Sequence, residues 1–191
     1  MANNFRNNHP VRTYTGTETN YRKYKPHLAN DFFSRCGYTD CPDFWFGGKN
    51  NFHIDHFIPW KNYPKKPNLK TDYSNLVYAC SYVNIIKSND EGAYIDPCNV
   101  DFNKHFFRDK TGKIIPNPKS KQANYMYGKL KLFMRRYQII WMLDNIYLKM
   151  KALKKVIDAE PKGKRKDSLL ITQGELGNLM IEYLEYLKVE Q

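Results

Sequence analysis

The chain has 191 residues, with 31 lysines and arginines against 19 aspartates and glutamates, and a formal net charge of +12. A balance this basic indicates a polyanionic partner, because neutralising phosphate groups releases counterions and supplies non-specific affinity for nucleic acid. The sequence shows neither the apolar core of a secretory signal at its beginning nor a run of about 18 apolar residues, so we expect a cytoplasmic protein without a membrane-spanning segment.

The first part of the chain is predicted to lead into a compact domain. Residues 1–20 are polar and rich in asparagine and threonine, which is typical of an N-terminal arm. Residues 21–25 combine tyrosines with basic side chains, a composition that can hold phosphates and stack bases but also suits an ordinary solvated surface. Residues 26–35 predict a short helix with a proline in its first turn.

Residues 52–87 contain the most informative pattern in the chain. An apolar strand ends in an Asp-His pair, a loop rich in proline and lysine follows, and an Asn-Leu pair opens a second apolar segment. A second asparagine lies nine residues after the first, at the start of a short helix that also contains a lysine. The residues of this pattern are Asp55, His56, Asn75, Leu76, Asn84 and Lys87.

This pattern resembles the HNH endonucleases, the ββα-metal or His-Me finger nucleases, in which two strands and a short helix hold these residues. The resemblance implies an α+β fold, with a nuclease module and accessory hairpin over residues 20–118 and a helical extension over residues 119–191. It also implies metal-dependent hydrolysis of phosphodiester bonds in nucleic acid, with DNA as the expected substrate.

Phosphodiester hydrolysis needs a cation that absorbs charge on the leaving oxygen and a base that deprotonates the attacking water. Asp55 and Asn84 offer oxygen atoms, which suit a hard cation such as Mg²⁺ or Mn²⁺. His56 can accept the proton, because the ordinary pKa of histidine is about 6.5. The resemblance assigns to Asn75 the role of orienting His56.

Several further residues are candidates for the same site. His53 would share a strand face with Asp55, so it either joins the metal ligands or has a packing or hydrogen-bonding role. Lys87, one helical turn after Asn84, is predicted to meet a substrate phosphate. The loop between the two strands contains lysines that either contact the nucleic-acid backbone or face solvent: Lys61, Lys65 and Lys66.

The chain has four cysteines, which are too few for a secreted disulfide scaffold: Cys36, Cys41, Cys80 and Cys98. Many HNH proteins bind a structural zinc through two Cys-x-x-Cys pairs. Here Thr39 and Val83 stand where the second cysteine of each pair would be. Cys41 can substitute in the first pair, so the alternatives are a zinc held by Cys36, Cys41 and Cys80, or buried free thiols.

The chain is predicted to change to helices after a hairpin that pairs residues 105–107 with residues 114–115. An apolar repeat at steps of three or four residues then predicts one long amphipathic helix over residues 122–158. A basic linker follows. The capping pattern of Thr172 and Glu175 predicts the start of a second helix, which would fold back as a helical hairpin or present a surface to a protein partner.

The overall layout is also similar to HNH proteins of bacterial anti-phage defence systems, particularly the nuclease component of Septu-type systems, which acts beside an ATPase of the ABC/SMC type. This resemblance implies an ATPase partner, with the acidic C-terminal helix as its candidate surface. Two alternatives stay open: a stand-alone restriction, nicking or homing-type HNH endonuclease, and a catalytically silent nucleic-acid-binding module.

Overall fold

A computed structural model describes residues 3–189, which divide into two compact units. The first unit ends at Met134 and the second begins at Arg135. Helices and short antiparallel strands are both present, so the fold is α+β, as the sequence predicts. No helix within residues 3–189 combines the length and the apolar character that crossing a bilayer requires.

The N-terminal residues are part of the first unit. Strand β1 (Asn3–Asn4) leads into Phe5 and Arg6, whose side chains are buried. The guanidinium of Arg6 donates to the main-chain oxygen of Gly37 at 2.7 Å. An aromatic ring and a hydrogen-bonded cation therefore anchor the first described residues of the segment that was expected to form a polar arm.

Helix α1 (Lys25–Asp31) lies within the segment predicted to be helical, with Pro26 in its first turn. It ends earlier than predicted, because Phe33 and Ser34 adopt positive φ angles of 54° and 55°. Leu28 is fully buried, so α1 packs on the core and holds the segment that precedes the helix close to it.

Two strands and a helix form the motif region. Strand β2 (Phe52–His56) pairs antiparallel with β3 (Leu76–Cys80), in a register that sets Asp55 opposite Val77. Helix α2 (Ser81–Lys87) follows β3 directly. Strand β3 is apolar and buried along its whole length, so it holds the other two elements against the core.

Strands β4 (Phe106–Arg108) and β5 (Ile114–Pro116) form the predicted hairpin, and β1 pairs with the outer side of β4. The ring of Phe5 lies 5.7 Å from that of Phe102 and 5.4 Å from that of Phe106. Aromatic pairs at such distances add to the free energy of burial, so this cluster holds the N-terminal strand in the sheet.

The long helix predicted over residues 122–158 is interrupted, so that prediction is wrong. Helix α3 (Lys121–Lys129) ends before Leu130, and Lys131 adopts a left-handed φ of 50°. Helix α4 (Arg135–Ala159) then begins the second unit. Leu130 is fully buried, so the apolar repeat continues through the interruption and periodicity alone does not reveal it.

Helix α5 (Lys164–Val189) packs against α4 in the second unit. The ammonium of Lys166 donates to the main-chain oxygen of Glu160 at 3.0 Å and satisfies a carbonyl beside the turn. The predicted start at Thr172 is wrong, because the hydroxyl of Thr172 donates to the main-chain oxygen of Ser168 at 3.2 Å inside the helix.

Candidate active site

The three polar residues predicted to act together line one cleft. Asp55 and His56 are the last residues of β2, and Asn84 lies in the middle of α2. All three contribute to a cleft of about 420 Å³, which Tyr21 and Trp60 also line. The convergence follows from local chain geometry, because α2 continues directly from the strand that pairs with β2.

The orientation of His56 is set by a backbone carbonyl. Its Nε2 lies 2.9 Å from the main-chain oxygen of Lys70. A carbonyl oxygen can only accept, so Nε2 bears the hydrogen and Nδ1 of the neutral ring keeps its lone pair. Burial lowers the pKa of His56, the hydrogen bond to the Lys70 carbonyl partly offsets that effect, and the nearby Lys87 and Lys70 ammonium groups lower the pKa further. The ring is therefore a neutral base near pH 7.

Asn75 acts on the loops around His56, whereas the resemblance predicts that it orients the ring. Its Nδ2 donates to the main-chain oxygens of Ile58 and Leu69, both at 2.9 Å, and its Oδ1 accepts from the Ile58 N–H at 2.8 Å. The prediction is corrected accordingly: Asn75 holds the segment beside Lys70, and Lys70 contacts the imidazole. A main-chain acceptor leaves no signal in residue type, so sequence reasoning missed it.

Asp55 is only 3% exposed, and hydrogen bonds engage both of its carboxylate oxygens. The Tyr38 hydroxyl donates to Oδ2 at 2.6 Å, and the Lys87 ammonium donates to Oδ1 at 3.1 Å. Burial raises the pKa of Asp55, and Lys87 and Tyr38 partly offset that rise. Burial and the adjacent carboxylate raise the pKa of Tyr38 well above its usual range, so the phenol remains a donor.

The prediction that Lys87 meets a substrate phosphate is wrong. Its side chain is fully buried, and its ammonium also donates to the main-chain oxygen of His56 at 2.9 Å. The one-turn spacing from Asn84 is as predicted. However, the end of α2 lies over β2, so the lysine extends into the unit instead of into the cleft. Tyr38 and Lys87 together hold the Asp55 carboxylate in place.

The oxygen atoms that Asp55 and Asn84 offer to the cleft are of the kind that a hard cation prefers. The Nδ2 of Asn84 lies 3.2 Å from Nδ1 of His53, and since an amide nitrogen only donates, the amide oxygen is left for another partner. Each carboxylate oxygen of Asp55 keeps a lone pair beyond its existing hydrogen bond. Two protein oxygens with several waters is the usual arrangement for Mg²⁺.

His53 was predicted either to bind the metal or to have a packing or hydrogen-bonding role. In the structure its Nδ1 accepts a hydrogen bond from the amide of Asn84. Burial and the nearby Lys25 lower the pKa of His53, which favours the neutral, accepting ring. Within residues 3–189, no group of three or more His, Cys, Asp or Glu side chains could hold a metal ion. The pair of Asp55 and Asn84 is not a group of that kind, because Asn84 is an amide and is not one of those residue types.

The model of the HNH endonuclease family matches residues 34–90. Residues 34–90 contain an HNH domain. The match covers β2, β3 and α2, so Asp55, His56, Asn75 and Asn84 all lie inside it, and the predicted resemblance to this family is supported. No curated protein and no solved structure matches the chain.

The loop lysines of the HNH domain differ in their relation to the cleft. Lys61 lines it beside Trp60. Lys65 and Lys66 are exposed but do not line it, and the Lys66 ammonium lies 5.3 Å from the centre of the Tyr63 ring. Of these three loop lysines, only Lys61 lines the cleft.

The cysteines of the HNH domain are buried free thiols. Burial raises the pKa of Cys36, but hydrogen bonds from Cys80 and Thr39 outweigh it and lower that pKa to about 6. Cys80, as the partner that keeps the proton, has a pKa raised well above its usual range. Burial raises the pKa of Cys41 to about 12. The three candidate zinc ligands are thus buried, and among the described residues they form no group that could hold a metal ion, so the structure gives the zinc alternative no support.

A buried arginine connects the cysteine-containing segment to its surroundings. Arg108 is fully buried and donates to the main-chain oxygens of Thr39 at 2.6 Å and Gly112 at 2.8 Å. Its guanidinium also lies 5.2 Å from the centre of the Phe5 ring. These contacts join three separate parts of the first unit.

Proposed function

We propose that the protein is a metal-dependent endonuclease that hydrolyses phosphodiester bonds in DNA. The main observation behind this proposal is that Asp55, His56 and Asn84 line one cleft within an HNH domain. The net charge of +12 favours a polyanionic substrate.

In the proposed mechanism, His56 is the general base. Its Nδ1 accepts a proton from water as the water oxygen attacks phosphorus, and the bond from phosphorus to the leaving oxygen breaks. The Lys70 carbonyl stabilises the imidazolium that forms, because Nε2 remains a donor to it. A general base of this kind contributes about 10² to 10⁴ in rate.

Asp55 and Asn84 are the proposed ligands of a divalent cation, Mg²⁺ or Mn²⁺, which would stabilise negative charge on the phosphate and the leaving oxygen. Lys87 and Tyr38 keep the Asp55 carboxylate oriented. Asn75 keeps the loop that presents the Lys70 carbonyl in position. These three residues are positioning residues in this mechanism.

Cleavage of plasmid DNA tests the proposal. We expect cleavage with Mg²⁺ or Mn²⁺, none with a chelator, and a loss of at least about 10²-fold in His56→Ala. His9→Ala is the matched control, because His9 is exposed and bonds to the main-chain oxygen of Cys98 away from the cleft. DNA binding without cleavage under any metal condition would favour the silent binding module.

We further propose the finer role suggested by the layout of the chain: a cytoplasmic nuclease subunit of an anti-phage defence system, acting with an ABC/SMC-type ATPase. Helix α5 is a candidate partner surface, because the side chains of Ile171 and Ile181 on it are 66% and 60% exposed. Cleavage by the purified chain, measured alone and with a co-expressed ATPase of this class, tests whether nuclease activity depends on the ATPase. Full activity of the chain alone would favour the stand-alone endonuclease.

A further inference from the structure

We propose that a second cleft beside the active site binds the phosphate backbone of the substrate next to the scissile bond, through Arg22 and Lys25. This inference rests on the proposed nuclease function and extends it to the flanking nucleotides. The expected ligand is a phosphodiester group of the same strand that occupies the active-site cleft.

The second cleft adjoins the first. It has a volume of about 350 Å³ and shares Tyr21, Ile54 and Asn84 with the active-site cleft. Asn84, a proposed metal ligand, thus lies between the two. A polynucleotide with its scissile phosphate beside Asn84 must continue in some direction, and this cleft is a continuous path on that side.

The charge of the second cleft suits a phosphate. Its lining residues include Arg22 and Lys25 and no carboxylate among the described residues that form it. The Lys25 ammonium donates to the main-chain oxygen of Asn50 at 3.1 Å, which fixes its position at the cleft. Burial and the neighbouring Lys49 lower the pKa of Lys25, so a bound anion would relieve unfavourable interactions of its charged form.

The basic turn is held firmly in relation to the catalytic histidine. The side chain of Asn20 accepts from the Arg22 N–H at 3.1 Å, and Tyr24 is 1% exposed at the other end of the turn. The ring of Tyr21 lies edge-on to the His56 imidazole, with 4.8 Å between their centres. These contacts fix the turn that contains Arg22 beside His56.

Lys23 belongs to the same turn but does not line the cleft. Its ammonium lies 3.4 Å from a carboxylate oxygen of Glu18, and its side chain is 64% exposed. It has the same charge as Arg22 and Lys25 and an adjacent position in sequence. Lys23→Ala is therefore a matched control for the loss of one positive charge.

The first test is equilibrium binding of a fluorescent DNA duplex and single strand, in chelator so that no cleavage occurs, over a range of salt. For the Arg22→Ala/Lys25→Ala variant we expect affinity to fall by about tenfold per lost cation at 0.1 M salt, and the slope of log affinity against log salt to shrink by about two. Arg22→Lys/Lys25→Arg should restore the wild-type slope, since it keeps both charges.

The second test separates flanking contacts from chemistry. Bis(p-nitrophenyl) phosphate is a diester without a neighbouring phosphate, so the double alanine variant should lose far less activity toward it than toward DNA, for which its KM should rise. A double variant that binds and cleaves DNA as Lys23→Ala does would overturn this inference and leave the nuclease proposal intact. A wild-type protein that cleaves neither substrate, alone or with the co-expressed ATPase, would instead refute the nuclease function, and the binding test would still decide whether this cleft holds DNA.

Discussion

Lys87 and Asp55 form a buried ion pair between α2 and β2, with 3.1 Å between Nζ and Oδ1. Lys87 is fully buried and Asp55 is 3% exposed. The ammonium is also 5.3 Å from the centre of the Tyr94 ring. The pair therefore links the helix that contains one proposed metal ligand to the strand that contains the other.

Replacing Lys87 with methionine should strongly destabilise the protein, because the Asp55 carboxylate would stay buried without its partner. We expect the free energy of unfolding to fall by about 3–5 kcal/mol, measured by urea denaturation. The Asp55→Asn/Lys87→Met double variant should lose less than the sum of the two single changes. Additive losses would mean that the pair contributes no coupling energy.

The pH dependence of cleavage should follow the lowered pKa of His56. The neutral ring is the active base, so kcat/KM should be constant at neutral pH and fall as the pH decreases through a value below 6.5. Cleavage of DNA between pH 5 and 8 at fixed metal concentration measures this profile. A midpoint above 6.5 would contradict the neutral ring described here.

Asn75→Ala should lower both stability and activity. The change leaves the main-chain groups of Ile58 and Leu69 without their partner, at a cost of about 1–3 kcal/mol. It should also reduce kcat, because the loop that presents the Lys70 carbonyl loses its anchor. Thermal melting and steady-state cleavage measure the two effects. Asn68→Ala is the control, since Asn68 is an exposed amide in the same loop.

Asn84→Ala should weaken metal binding more than it weakens folding. We expect a higher Mn²⁺ concentration at half-maximal cleavage and weaker Mn²⁺ binding by calorimetry, whereas Asn84→Asp should retain binding because it keeps an oxygen ligand. Asn89→Ala is the matched control, as Asn89 lines the same cleft just after the end of α2. Equal metal affinities for the two alanine variants would remove Asn84 from the proposed ligand set.

The sequence by itself determined the motif region. Asp55, His56 and Asn84 fit the pattern of the HNH endonucleases, and that resemblance predicts that they meet at one site. The helix follows its strand directly, a local relationship that residue types and intervals can indicate. The hairpin of β4 and β5 was predictable for the same reason.

Only the tertiary structure decided what surrounds these residues. Lys87 was expected to meet a substrate phosphate and is buried on Asp55, His56 is oriented by the main chain of Lys70, and the apolar repeat after residue 121 conceals a break at Leu130. In each case the decisive partner is distant in sequence or belongs to the backbone. Spacing along the chain reports which face a side chain shares, but the packing of separate segments determines what it touches.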